Sequence, residues 1–185
     1  MKTKILAILV VMPSLAMAAI QKISPSGGQV EFLAIGKPSF IKIHGTGSAA
    51  SGTASLEGDK VQGTFEFALS SLKTGIEKRD EHMKTKYLEV EKFPQAKLEL
   101  KSVKPFLGWS IQKPKLDQAD FEGILTLHGQ SQPVKGTFSI NDKSGVDVSF
   151  KIKLTDFKVD IPSFAGVTVA DDVEITVKID KLGVL

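Results

Sequence analysis

Residues 61 to 70 alternate strictly. Val61, Gly63, Phe65, Phe67 and Leu69 stand against Gln62, Thr64, Glu66, Ala68 and Ser70. A two-residue period with one apolar side describes an extended strand with one face buried and one wet. The pattern recurs in Ala96, Leu98 and Leu100, then in Phe121, Gly123, Leu125 and Leu127, and again in Val134, Gly136, Phe138 and Ile140. It returns in Val146, Val148, Phe150, Ile152 and Leu154, and in Val173, Ile175, Val177 and Ile179. Val30 to Ile35 and Phe40 to His44 read as the first two strands, split by Gly36-Lys37-Pro38, and Thr53 to Leu56 as a weak one. Lys104 to Gln118 reads as a long connection with a short edge strand at Trp109 to Ile111.

So many one-faced strands joined by short turns imply antiparallel structure, which must stack as two sheets or close on itself. Closure is favoured. Gly63, Gly123 and Gly136 sit on otherwise bulky faces, and a glycine there marks either sharp curvature or room left for something else. The expected fold is all-β, an antiparallel eight-stranded barrel. Nine residues at a strand rise of about 3.3 Å, tilted near 40°, give a wall roughly 23 Å tall, enough to enclose a long aliphatic chain. Burying ten methylenes is worth about 8 kcal/mol before ordering costs, which puts micromolar binding within reach without a specific polar contact.

One stretch departs from the strand pattern. Leu72 to Pro94 reads as a short helix, with Ile76, Asp80, Met83 and Tyr87 at spacings of 4, 3 and 4 on one face. A lone amphipathic helix among strands covers an open end of the barrel. A carboxylate on an apolar stripe must be paired or hydrogen-bonded, so Asp80 is expected to meet a backbone N–H or a cation and fix the helix. Arg79, His82 and Lys86 occupy a neighbouring face that meets either an anionic head group or water.

The first residues form an address. Lys2 and Lys4 precede the apolar run Ile5 to Met17, which ends in Ala16-Met17-Ala18, the layout of a cleavable secretory signal. The run is shorter than the about 20 apolar residues of a membrane span. Residues 1–18 are therefore read as a signal peptide and 19–185 as one exported domain, periplasmic in a Gram-negative cell. The chain has no cysteine, which excludes lipoprotein anchoring, disulfides and thiol catalysis. Without the two leader lysines, 22 basic residues face 21 acidic ones. Arginine, the better reader of phosphates and bases, occurs once, so nucleic acid is not an expected partner.

Four segments carry a family likeness: KTGIEKRDEHM, VEKFP, GILTLHGQSQPV and GVTVADDVEITVKI. In this order they resemble the YceI-like family of secreted polyisoprenoid-binding proteins, over nearly the whole chain after the leader. The resemblance implies a lipocalin-like barrel with a helical cap and a polyisoprenoid or other long-chain amphiphile in its lumen. It also implies export, frequent dimers and no known catalytic chemistry; a homodimer is a possible partner, and no cofactor and no stable membrane insertion are expected. By position Arg79, Asp80 and His82 match the family's charged cap motif. Gly123, Leu125, Thr126, His128, Gly129, Pro133 and Val134 match its hairpin motif. Tyr87-Leu88 stands where many members carry paired aromatics, and the connection around Trp109 is unusual for the family.

The residues expected against the ligand are Phe65, Phe67, Met83, Tyr87, Leu98, Phe121, Leu125, Phe138, Val148 and Phe150, of which many equally suit an ordinary core. Three other readings are weaker. Asp80 and His82 as acid and base lie two apart on a helix and point to different faces, and no G-x-S-x-G elbow supports a lipid-modifying enzyme. His44, His82 and His128 lack a paired metal-ligand spacing, and alternation puts His128 on the wet face. A non-lipid interaction or envelope stress role would need a large exposed apolar patch.

Overall fold

A computed structural model describes residues 20–57, 60–104, 113–164 and 166–185. The leader and the Trp109 to Ile111 segment lie outside the described residues. The first half of the wall is β1 (Gln21–Ser26), β2 (Gln29–Lys37), β3 (Lys42–Gly47), β4 (Ser51–Glu57), β5 (Lys60–Ala68) and β6 (Gln95–Lys104). The second half is β7 (Leu116–Leu127), β8 (Gln130–Ile140), β9 (Val146–Lys153), β10 (Ser163–Phe164), β11 (Val167–Ile179) and β12 (Lys181–Val184). Among the described residues the helical part is α1 (Glu77–His82), running into a π-helical turn at Met83–Tyr87, with 3₁₀ turns at Leu69–Ser71 and Thr155–Phe157. No helix among the described residues is long and apolar enough to cross a membrane.

The expected eight strands are found as twelve segments of one antiparallel sheet. The difference arises because three long ribbons are each broken once and β10 is a two-residue arm on β11. The pairing that sets Val30 against Gly47 continues in step to set Ile23 against Ala54 and Gln21 against Leu56, so β1–β2 and β3–β4 are one pair of ribbons. Likewise β11 pairs β2 up to Lys178 against Gln29, and β12 pairs β1 from Lys181 against Ser26. With β4 through β9 paired in sequence and β9 on β11, every ribbon has a neighbour on both sides. The wall closes.

The first ribbon breaks at Gly27–Gly28, where φ is +72° and +107°, a region that side chains disfavour. The space there is also taken: a Cβ on Gly28 would lie 2.0 Å from the Lys178 carbonyl oxygen. The second strand begins at Lys42 rather than Phe40, because the cis Lys37-Pro38 bond and the residues after it form the turn. Phe40 stands on that turn, 80% exposed.

The inward glycines do not hold the lumen open by leaving gaps. A Cβ on Gly63 would lie 2.7 Å from that of Ala54, and one on Gly123 2.7 Å from the Glu99 carbonyl oxygen. A Cβ on Gly136 would lie 2.4 Å from the Ser149 carbonyl oxygen and 2.7 Å from the Phe121 ring. Elsewhere a phenylalanine lies across a glycine of the adjoining ribbon: Phe32 over Gly45, and Phe67 over Gly47. Glycine lets neighbouring backbone and flat rings lie against the wall, as in aromatic rescue of strand glycines. Gly136→Ala is expected to destabilise the fold by about 1–3 kcal/mol, the usual cost of overpacking a close-packed site. A urea midpoint unchanged from the parent would show that curvature alone explains the glycine.

Candidate functional site

The lumen is a cavity of about 480 Å³ lined almost wholly by apolar side chains. Its two ends differ. Away from the helix, Ile23, Leu56, Val61, Val103, Ile140, Val146 and Leu182 are buried against one another. The Leu182 N–H donates to the Ser144 carbonyl, tying β12 to the adjoining turn at 2.8 Å. At the helix end, lining residues Ile41, Ala50, Glu66, Thr74, Arg79, His82, Pro162 and Val167 are only half-buried and form the mouth. Glu66, Thr74, Arg79 and His82 join the Tyr87 hydroxyl as the polar groups of the lining.

All ten residues expected at the ligand line this cavity. Phe65, Phe67, Met83, Leu98, Phe138 and Val148 are half-buried where they face the lumen, whereas Tyr87, Phe121, Leu125 and Phe150 are buried in its wall. Phe121 and Phe150 meet edge to face, ring centroids 5.9 Å apart. Ile175 and Val177, which alternation places on the apolar face, also line the cavity, and so does Phe32 of β2, which the sequence marks less clearly. Its signal is present in Val30, Phe32 and Ala34, but outward Leu33 and Ile35 blur the alternation of β2.

The cap is held by a short hydrogen-bonded chain. The Thr74 N–H donates to Asp80 Oδ1 at 2.7 Å, and the Thr74 hydroxyl donates to the same oxygen. Arg79 Nε donates to Thr74 Oγ1 at 2.7 Å and Nη2 to the Thr74 carbonyl at 2.9 Å. Asp80 therefore meets a backbone N–H, and it stands outside the cavity lining while Arg79 and His82 belong to it. Ile76 is not on the buried face: it caps the helix from an extended conformation and is 52% exposed. Tyr87 closes the seam by donating its hydroxyl to the Ser163 carbonyl and accepting from the Ser163 N–H, both at 3.2 Å.

His128 is not on a wet face either. A left-handed backbone (φ +49°) at the β7–β8 turn swings it under the segment that follows the helix. Its Nε2 bonds Glu89 Oε2 at 2.9 Å and its Nδ1 the Phe157 carbonyl at 3.2 Å. The Phe93 ring meets the imidazole edge to face, centroids 4.7 Å apart. Among the described residues no group of three His, Asp or Glu converges.

The family model of the YceI-like domain matches residues 22–180. Relatives in sequence include a UPF0312 protein of Pseudomonas syringae pv. tomato, 31% identical over 147 residues covering 72% of this chain and 71% of the relative. Another, from Pseudomonas putida, is 29% identical over 175 residues and 86% of each chain. Among solved structures, Burkholderia cenocepacia BcnA is similar with a TM-score of 0.64 at 17% identity, over 83% of this chain and 96% of that one. A polyisoprenoid binding domain from Saccharophagus degradans, implicated in plant cell wall breakdown, gives 0.62 at 15% identity over 85% and 95%. These two likenesses concern the fold.

Two measurements check the cap. Asp80→Ala should cost about 1–3 kcal/mol by leaving the Thr74 donors unmet, while Asp80→Asn, which keeps the accepting oxygen, should retain most of the stability in thermal unfolding. Lys92, then His128, hold the Glu89 carboxyl below its ordinary 4.5, so its contribution is full above that value and lost as pH falls through the lowered one. Protection factors for amide exchange over residues 89–94, taken relative to the intrinsic rate at each pH, should therefore fall in acid, and Glu89→Gln should flatten the dependence.

Proposed function

Because the chain belongs to the YceI-like domain family, we propose that its lumen holds a polyisoprenoid or comparable long-chain amphiphile, and that the exported protein carries this lipid in the periplasm. The observation that carries the reading is the form of the cavity: about 480 Å³, lined almost wholly by apolar side chains that are fully buried at one end, with its charged groups gathered at the other. Such a space accepts a tail with no hydrogen-bonding needs and leaves the head beside Arg79, Thr74 and His82. The fold's likeness to a polyisoprenoid binding domain supports the choice of lipid class.

The half-buried state of Phe65, Leu98, Phe138 and Val148 supports it energetically. These side chains face the lumen with surface still uncovered, and covering apolar area yields about 25 cal/mol per Å². A binding role suits the cap better than catalysis does, since Asp80 is engaged by Thr74 outside the lining and so offers no base to a bound lipid.

Leu98→Trp tests the reading by filling the middle of the lumen from a position with uncovered surface. Native mass spectrometry of protein purified gently from its envelope should show parent protein with bound lipid. The variant should fold with the parent's circular dichroism and lose at least about tenfold in affinity for a fluorescent polyprenyl probe, the scale of excluding one or two buried methylene pairs. Parent protein that is always empty, and takes up neither prenyl nor acyl lipids, would end the proposal.

A further inference from the structure

Apart from residues at the two ends of the described chain, the large hydrophobes left exposed are Phe40 and Ile76. Both belong to the mouth end of the barrel. Phe40 is on the β2–β3 turn beside cavity-lining Ile41, and Ile76 opens α1 three residues before cavity-lining Arg79. The two segments are fastened together, since Thr46 and Lys73 exchange backbone hydrogen bonds at 2.8 Å each way.

The surroundings of the two hydrophobes repeat. Lys37 stands three residues before Phe40 and Lys42 two after it; Lys73 stands three before Ile76 and Lys78 two after it. All four lysines are exposed. Glu77 and Glu81 are the exposed acids on the adjoining helix, and the four cations outweigh them. An exposed aromatic or aliphatic tip bracketed by long cationic side chains matches the interface of an anionic bilayer. The tips sink among the acyl chains while the lysine stems follow them and the ammonium groups stay with the phosphates.

We propose that this rim docks the open mouth of the barrel onto an anionic phospholipid surface. The docking rests on the two rim segments, and the lumen proposal supplies its purpose but not its evidence. Because the contact is two side chains deep, it is peripheral and reversible, and because it is half electrostatic it weakens with salt.

The test uses the whole exported chain and sedimentation with vesicles of phosphatidylglycerol and phosphatidylethanolamine, against vesicles of phosphatidylcholine alone. Binding is expected to the first set, to fall as salt is raised, and to drop about tenfold or more in Phe40→Ser/Ile76→Ser. That double variant should keep its thermal midpoint and its uptake of the polyprenyl probe at saturating probe in detergent. No binding of the parent to anionic vesicles at low salt overturns the proposal, as does binding that the double variant leaves undiminished. If the parent ignores vesicles but sediments as a dimer that the double variant splits, the rim's occupant is a second copy and the bilayer is excluded. Vesicle binding without any probe uptake would sink the lumen reading and leave the docking, and probe uptake without vesicle binding would do the reverse.

Discussion

Closure of the sheet is the constraint from which the rest follows. Every ribbon is paired on both sides, so the wall consumes the backbone donors and acceptors that an open edge would present. The space inside therefore meets side chains only, and alternation makes those side chains apolar. Among the described residues the lining is accordingly almost wholly apolar. The places where pairing lapses, at Ser48–Ala50 and at the β3 edge, are covered by Leu69–Ser71 and by the Thr46–Lys73 pairing. The cap is thus an extension of the wall.

How the aromatic rings lie decides whether the interior is a core or a container. Phe32 and Phe67 rest on Gly45 and Gly47, and Phe121 and Phe150 meet beside Gly136. Rings that pack against neighbouring backbone and against one another belong to the wall. Glycine thus shapes the lumen indirectly, by giving its larger neighbours somewhere to lie.

Much of this is legible in the sequence. Alternation in β5, β7, β8, β9 and β11 locates the wall because their outward faces are polar, and the ten named residues all reach the cavity. Where the pattern is impure the structure holds more than the sequence reveals. β1 and β12 carry Pro25 and Gly183 and have no clear period, yet they seal the far end through Ile23 and Leu182. His128 follows the alternation of β7 in sequence but sits at a left-handed turn, and one reversed dihedral carries it from the outside to a bond with Glu89. Ile76 fits the helical period but precedes the helix it would have packed from. In each instance a backbone feature at the end of an element, invisible to periodicity, redirects the side chain.

The sealed far end has a kinetic meaning. A tube with one door fills and empties through the same opening, and a chain inside it can leave only tail last. Each methylene drawn past the rim into water adds about 0.8 kcal/mol to the climb. Residence time would then lengthen geometrically with the stretch of tail held inside, and would collapse where the door abuts another apolar phase. For the proposed lipid, retention and release would thereby depend on what lies outside the doorway.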